Sequence, residues 1–343
     1  MKIVYSDKHA QHDPQTFIVR GVKQRSAEQP ERATRLLDAA KGAGHEIIAP
    51  KTFGSGPAAS VHTPDYIDFL QTAAREWAKL PGASDEVVPN VHPARGPATY
   101  PEALAGRAGW HQADMACPIG PHTWDAALAA TEVATTAAET VLDGAREAYA
   151  LCRPPGHHAF ADMAGGFCFL NNTAVAAQHL RAKHARVAVL DVDVHHGNGT
   201  QGIFYERADV LTVSIHADPN NYYPYFWGHA HEAGSDAGNG FNLNLLLPLG
   251  SADAPWLAAG DKALARIAAF APTALVVALG LDASESDPLQ GLKVTGAGFH
   301  AMAAKIAGLG LPTVLVQEGG YLGDDLGRNL VQFLAGFERG RRP

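Results

Sequence analysis

Seven apolar runs set the constraint that any fold of this chain must meet: Lys2–Tyr5, His45–Ile48, Ala148–Arg153, Ala185–Val194, Val210–His216, Ala274–Leu281 and Thr313–Glu318. In their centres they do not alternate apolar with polar side chains, so strands built from them must be covered on both faces. Helical stretches lie between most of them, at Glu31–Ala43, Trp124–Asp143, Asn172–His184, Ala254–Ala269 and Gly296–Leu309. Strands of this kind separated by helices predict an α/β protein with a doubly wound parallel sheet. We read residues 1–343 as one such domain. Functional groups in these sheets gather at the carboxyl ends of strands, which is where each polar motif of the chain falls.

Two segments break the rhythm. From about 81 to 121 the chain holds Pro, Gly, His, Trp and Tyr in an order with neither helical nor strand period. A stretch this long is functional or structural rather than a simple connection, and we expect an insertion that narrows an entrance or contacts a second subunit. From about 218 to 240 a loop carries Tyr222, Tyr223, Tyr225, Phe226 and Trp227, rings suited to wall in an apolar or cationic group. Ordinary loop packing is the alternative there.

The run ending in Asp191-Val192-Asp193-Val194-His195-His196 presents carboxylates and imidazoles together. On a strand Asp191, Asp193 and His195 point one way, with Val192 and Val194 pointing the other. Buried carboxylates are costly without a positive partner, and a divalent cation on Asp193 and His195 would supply one. A polar cluster capping a strand is the plainer alternative. With 27 Lys and Arg against 35 Asp and Glu, the net charge of −8 disfavours nucleic acid as a partner and suits a cationic substrate. The three cysteines, Cys117, Cys152 and Cys168, show no CxxC spacing, and an odd number argues against a disulfide framework. No apolar run is long enough to span a membrane, and no signal-peptide pattern opens the chain, so a cytoplasmic location is the expectation.

Four motifs at strand ends fall in a fixed order: Arg153-Pro154-Pro155-Gly156-His157-His158, the Asp191–Asn198 segment, Gly280-Leu281-Asp282, and Glu318-Gly319-Gly320-Tyr321. With Pro30-Glu31-Arg32, Gly165-Gly166-Phe167-Cys168-Phe169 and Thr212-Val213-Ser214-Ile215-His216, they resemble the zinc-dependent deacetylase family. That family comprises histone deacetylases and bacterial acetylpolyamine amidohydrolases on an arginase-like α/β fold. The resemblance spans nearly the whole chain.

It implies Asp193, His195 and Asp282 as zinc ligands with an open position for water. It implies His158 as general base and acid, His157 as the neighbour tuning its electrostatics, and Tyr321 as donor to the tetrahedral oxyanion. Asp191 would orient His157, and Asn198 would contact His158. A structural potassium ion would sit at Asp191, Asp193, His195, Ser214 and Ile215. Phe167 matches a position lining the acyl channel, and we add Tyr223 and Phe226 from the aromatic loop. Where many histone deacetylases carry an aspartate beside the general base, this chain has Asn198, as the bacterial amidohydrolases do. A neutral amide supports imidazolium less, so the His158 pKa should be lower. The implied activity is removal of an acyl group from a small cationic amide such as an acetylated polyamine, in a homodimer. A protein acetyl-lysine deacetylase, or a hydrolase of another small amide, is the alternative. An arginase-type enzyme with two manganese ions would leave Tyr321 unexplained. A protein that only binds would not need all of Asp193, His195, Asp282, His158 and Tyr321.

Overall fold

Among the described residues ten strands form: β1 (Lys2–Val4), β2 (Phe17–Val19), β3 (Val22–Gln24), β4 (Glu46–Ile48), β5 (Glu147–Ala150), β6 (Val187–Asp191), β7 (Val210–Ala217), β8 (Asn242–Leu247), β9 (Ala274–Leu279) and β10 (Thr313–Gln317). The computed structural model describes residues 1–94 and 96–341. Arg95, inside the expected insertion, and Arg342 and Pro343, at the end of the expected domain, lie outside the described residues. Eight strands make one parallel sheet in the order β4-β1-β5-β10-β9-β6-β7-β8. The expected α/β class and parallel sheet are therefore found.

The absence of alternation has its cause in two cores. Ala188 and Leu190 of β6, with Leu275, Val277 and Leu279 of β9, pack into one face under the helices Glu31–Gly42, Asp253–Phe270, Gly296–Ala307 and Leu326–Gly340. Val187 and Val189 of β6, with Ala274 and Val276 of β9, pack into the other under Thr123–Leu142 and Asn172–Leu180. Every residue of the central strands β6 and β9 is thus buried, whichever face it points to.

Several elements depart from the sequence reading. β6 stops at Asp191, so Val192–Gly197 is irregular chain rather than the strand expected to reach Val194. Strand β8 was not anticipated, because Asn242 and Asn244 interrupt its apolar pattern at the sheet edge. The helices Pro64–Trp77 and Leu326–Gly340 also escaped the periodicity reading. The 81–121 stretch holds the helix Leu104–His111 and a bridge between Val87 and Ile119. It lies on a third core, where Tyr66, Phe69 and Leu70 of the Pro64–Trp77 helix meet Val87, Ala108, Cys117 and Ile119. Among the described residues no helix is long and apolar enough to cross a membrane.

Candidate active site

The strands β5, β10, β9 and β6 are consecutive in the sheet, and the four polar motifs leave from their carboxyl ends. After Asp191 the main chain turns back on its own carboxylates. Asp193 N donates to Asp191 Oδ1 at 3.0 Å, His195 N to Asp193 Oδ1 at 2.9 Å, and Val194 N to Asp282 Oδ1 at 3.0 Å. Gly319 N donates to Asp193 Oδ2 at 2.8 Å, tying β10 to the same cluster. A side chain at Gly319 would collide with Asp282 and Asp193, so the carboxylates require glycine there.

Donor atoms of Asp193, His195 and Asp282 lie within 4.8 Å of one another, all buried. His195 Nδ1 is 3.1 Å from both Asp193 Oδ1 and Asp282 Oδ2. Tetrahedral zinc with ligands at about 2.0–2.1 Å has ligand-to-ligand edges of roughly 3.3 Å, so the donor set fits such an ion. The electrostatics agree. Burial opposes a charged His195, yet hydrogen bonds to Asp193 and Asp282 carry its pKa up to about 9. Burial and the neighbouring Asp193 charge push Asp282 up to about 6. Two carboxylates here demand positive charge, which a divalent cation supplies.

The prolines and glycine of Arg153–Gly156 place two imidazoles side by side, with ring centroids of His157 and His158 4.0 Å apart. Glu318 holds that turn by accepting from Gly156 N at 2.6 Å and His157 N at 3.0 Å. His157 Nδ1 is 2.9 Å from Asp191 Oδ2, and although burial opposes it, Asp193 and Asp191 raise its pKa to about 10. His158 moves the other way: burial, then the charges of His157 and His195, push it well below its ordinary value. Its Nδ1 lies 2.7 Å from Asn198 Oδ1. An amide oxygen only accepts, so Nδ1 carries the proton and Nε2 is the basic nitrogen.

Tyr321 follows the glycine pair and lines the cavity over the cluster. Its main-chain N donates to Asp287 Oδ2 at 2.9 Å, and Phe167 packs edge-on against its ring at 5.6 Å. Burial drives the phenol pKa well above its ordinary value, against the pull of Arg32, so the group stays a protonated donor. Arg32 lies 4.6 Å from the ring centroid and donates to Glu318 O at 2.7 Å and Gly320 O at 2.5 Å. Glu28 accepts from Arg32 at 2.6 Å and from Arg153 at 2.8 Å. Sequence reasoning missed this buried clamp. An acid and a base four residues apart beside Pro30 were its only signal.

The cavity above the cluster has a volume of about 400 Å³ and is lined by His158, His195, Tyr321, Phe167 and Tyr223 among others. Tyr222 stacks on His195 at 5.0 Å, and Tyr223 meets His158 edge-on at 4.9 Å while donating to Asp114 Oδ2 at 2.7 Å. Gly166 allows this closeness, since a side chain there would strike the His158 ring and the Tyr223 hydroxyl. Phe226 is a correction: it is 82% exposed and borders a different cavity beyond Tyr223, because the loop turns outward after Pro224. Of the acidic residues in the 81–121 stretch, Asp114 lines the reaction cavity, whereas Asp85 and Glu86 border another. Ser214 sits opposite Asp191 in the sheet register, with Ile215 next to it on β7.

Residues 26–337 match the histone deacetylase domain, and the chain belongs to that family; it is an amidohydrolase. It is 49% identical over 330 residues to an acetylpolyamine amidohydrolase of Burkholderia pseudomallei, covering 95% of each chain. It is 46% identical to acetylpolyamine amidohydrolase 1 of Pseudomonas aeruginosa over 100% of both. The crystal structure of the acetylpolyamine aminohydrolase from Burkholderia pseudomallei superposes with a TM-score of 0.95 at 47% identity, covering 98% of each chain.

Proposed function

We propose that this chain is a zinc-dependent deacetylase of small cationic amides, with acetylated polyamines as the substrate class. The observation that carries the reading is the buried group Asp193, His195 and Asp282 at the floor of a cavity walled by Tyr222 and Tyr223. The names of the relatives at 49% and 46% identity support the substrate class.

A zinc ion held by those three residues would supply Lewis acidity toward the amide carbonyl and the attacking water. The chain does the rest. His158 Nε2 takes a proton from the water, since its Nδ1 proton is committed to Asn198. The Tyr321 hydroxyl donates to the carbonyl oxygen as that oxygen gains charge. His158 then returns the proton to the leaving nitrogen, and the charged His157, fixed by Asp191, keeps His158 from holding it.

The reading also includes a potassium ion at Asp191, Asp193, His195, Ser214 and Ile215, supported by the register that sets Ser214 beside Asp191. It includes a homodimer built through the 81–121 stretch. The test is hydrolysis of an acetylated polyamine and an acetyl-lysine peptide by protein reconstituted with one equivalent of zinc, with apo protein as control. Preference for the polyamine is expected. Preference for the peptide would move the substrate class to proteins, and equal rates without zinc would overturn the metal assignment.

A further inference from the structure

The hairpin β2–β3 turns at Arg20 and Gly21, whose φ angles are 50° and 79°. Two consecutive positive φ values define a turn that favours Asn, Asp or Gly at its first position. Arginine there is a strained choice, and strained positions gather at functional sites. The hairpin is seated on the reaction cavity: Phe17 packs on Phe167 at 5.2 Å, and Phe167 packs on Tyr321. Arg20 lies three residues further along, about 10 Å by strand rise, and lines the same cavity from an exposed position, which puts it at the lip. Among the described residues it is the one Lys or Arg lining the cavity, and it has no carboxylate partner within 4.0 Å. Its neighbour Arg25, by contrast, pairs with Asp13 at 3.8 Å. The inner wall has the opposite character: the Tyr222 and Tyr223 rings and Asp114 attract an ammonium.

We propose that Arg20 is a specificity-determining residue. It favours substrates with one ammonium close to the acetamide over those with a second ammonium further out, which must pass a fixed positive charge at the lip. The proposal rests on the acetylated-amine reading and names the tail that reading leaves open. The repulsion is electrostatic, so it weakens with salt.

The experiment compares kcat/KM for N-acetylputrescine, with one ammonium, N8-acetylspermidine, with two, and N-acetyl-4-aminobutyrate, with a carboxylate tail. It uses zinc-loaded wild type, Arg20→Gln and Arg20→Glu. Where turnover is absent, calorimetric titration with free putrescine and spermidine reads the same ratio. The dication-to-monocation ratio is expected to rise about fivefold in Arg20→Gln and further in Arg20→Glu at low salt, with the gain shrinking at high salt. A ratio within twofold of wild type in Arg20→Glu overturns the proposal while leaving the acetylpolyamine reading intact. Wild-type turnover confined to the carboxylate-tailed amide, and lost in Arg20→Glu, overturns both the acetylpolyamine reading and the selection between ammonium tails.

Discussion

The floor of the reaction cavity and its entrance are built by different physics. The floor hangs from the ends of four adjacent strands, and its carboxylates are oriented by main-chain donors from Asp193, Val194, His195 and Gly319. The entrance consists of a hairpin turn and an aromatic loop, held by contacts such as Phe17 on Phe167 and Tyr223 on Asp114. A floor of this kind tolerates almost no change without losing chemistry. An entrance of this kind can change its tip and alter selection alone.

The comparison breaks first at His158. Replacing it with alanine is expected to lower kcat by about two to four powers of ten while bound zinc, measured by elemental analysis, stays near one per chain. Loss of zinc in that variant would mean that the imidazole belongs to the metal group instead. Tyr321→Phe comes next, with a fall of about two to three powers of ten in kcat and little change in KM, as removal of an oxyanion donor gives. Unchanged turnover would remove the tyrosine from the mechanism. The smallest effect belongs to the entrance: Tyr223→Phe takes one hydrogen bond from Asp114, at a cost of about 1 kcal/mol. It should appear as a several-fold rise in KM with kcat nearly intact. A loss confined to kcat would make Tyr223 part of the floor.

The floor was legible in the sequence because its residues sit at strand ends, where an apolar run stops at a charged or imidazole side chain. Asp191, Asp282 and Glu318 each follow such a run. Even so, the reading extended β6 to Val194, since alternation in Asp-Val-Asp-Val mimics a strand. What brings Asp193 and His195 together is irregular chain folding onto its own carboxylates, a pattern without period. The entrance was harder. Phe226 and Tyr223 are three apart in one aromatic run, and only the path of the loop separates the wall of one cavity from the border of another. The helix Leu326–Gly340 buries Leu326, Leu330, Phe333, Leu334 and Phe337 at helical spacing, a signal present in the chain and passed over. Glu28 and Arg32 carried no such pattern, because Arg153 lies 125 residues from Glu28 and the carbonyls that Arg32 grips lie 286 and 288 residues from it.

That last separation has a consequence for how the enzyme is born. Arg32 is synthesised well before the carbonyls it grips, which are 286 and 288 residues further along. Contacts of such long sequence separation form late in folding, and until β10 docks Tyr321 lacks the support of Arg32. Tyr321 is therefore backed by its arginine clamp only once the helix Glu31–Gly42 and the segment after β10 have come together.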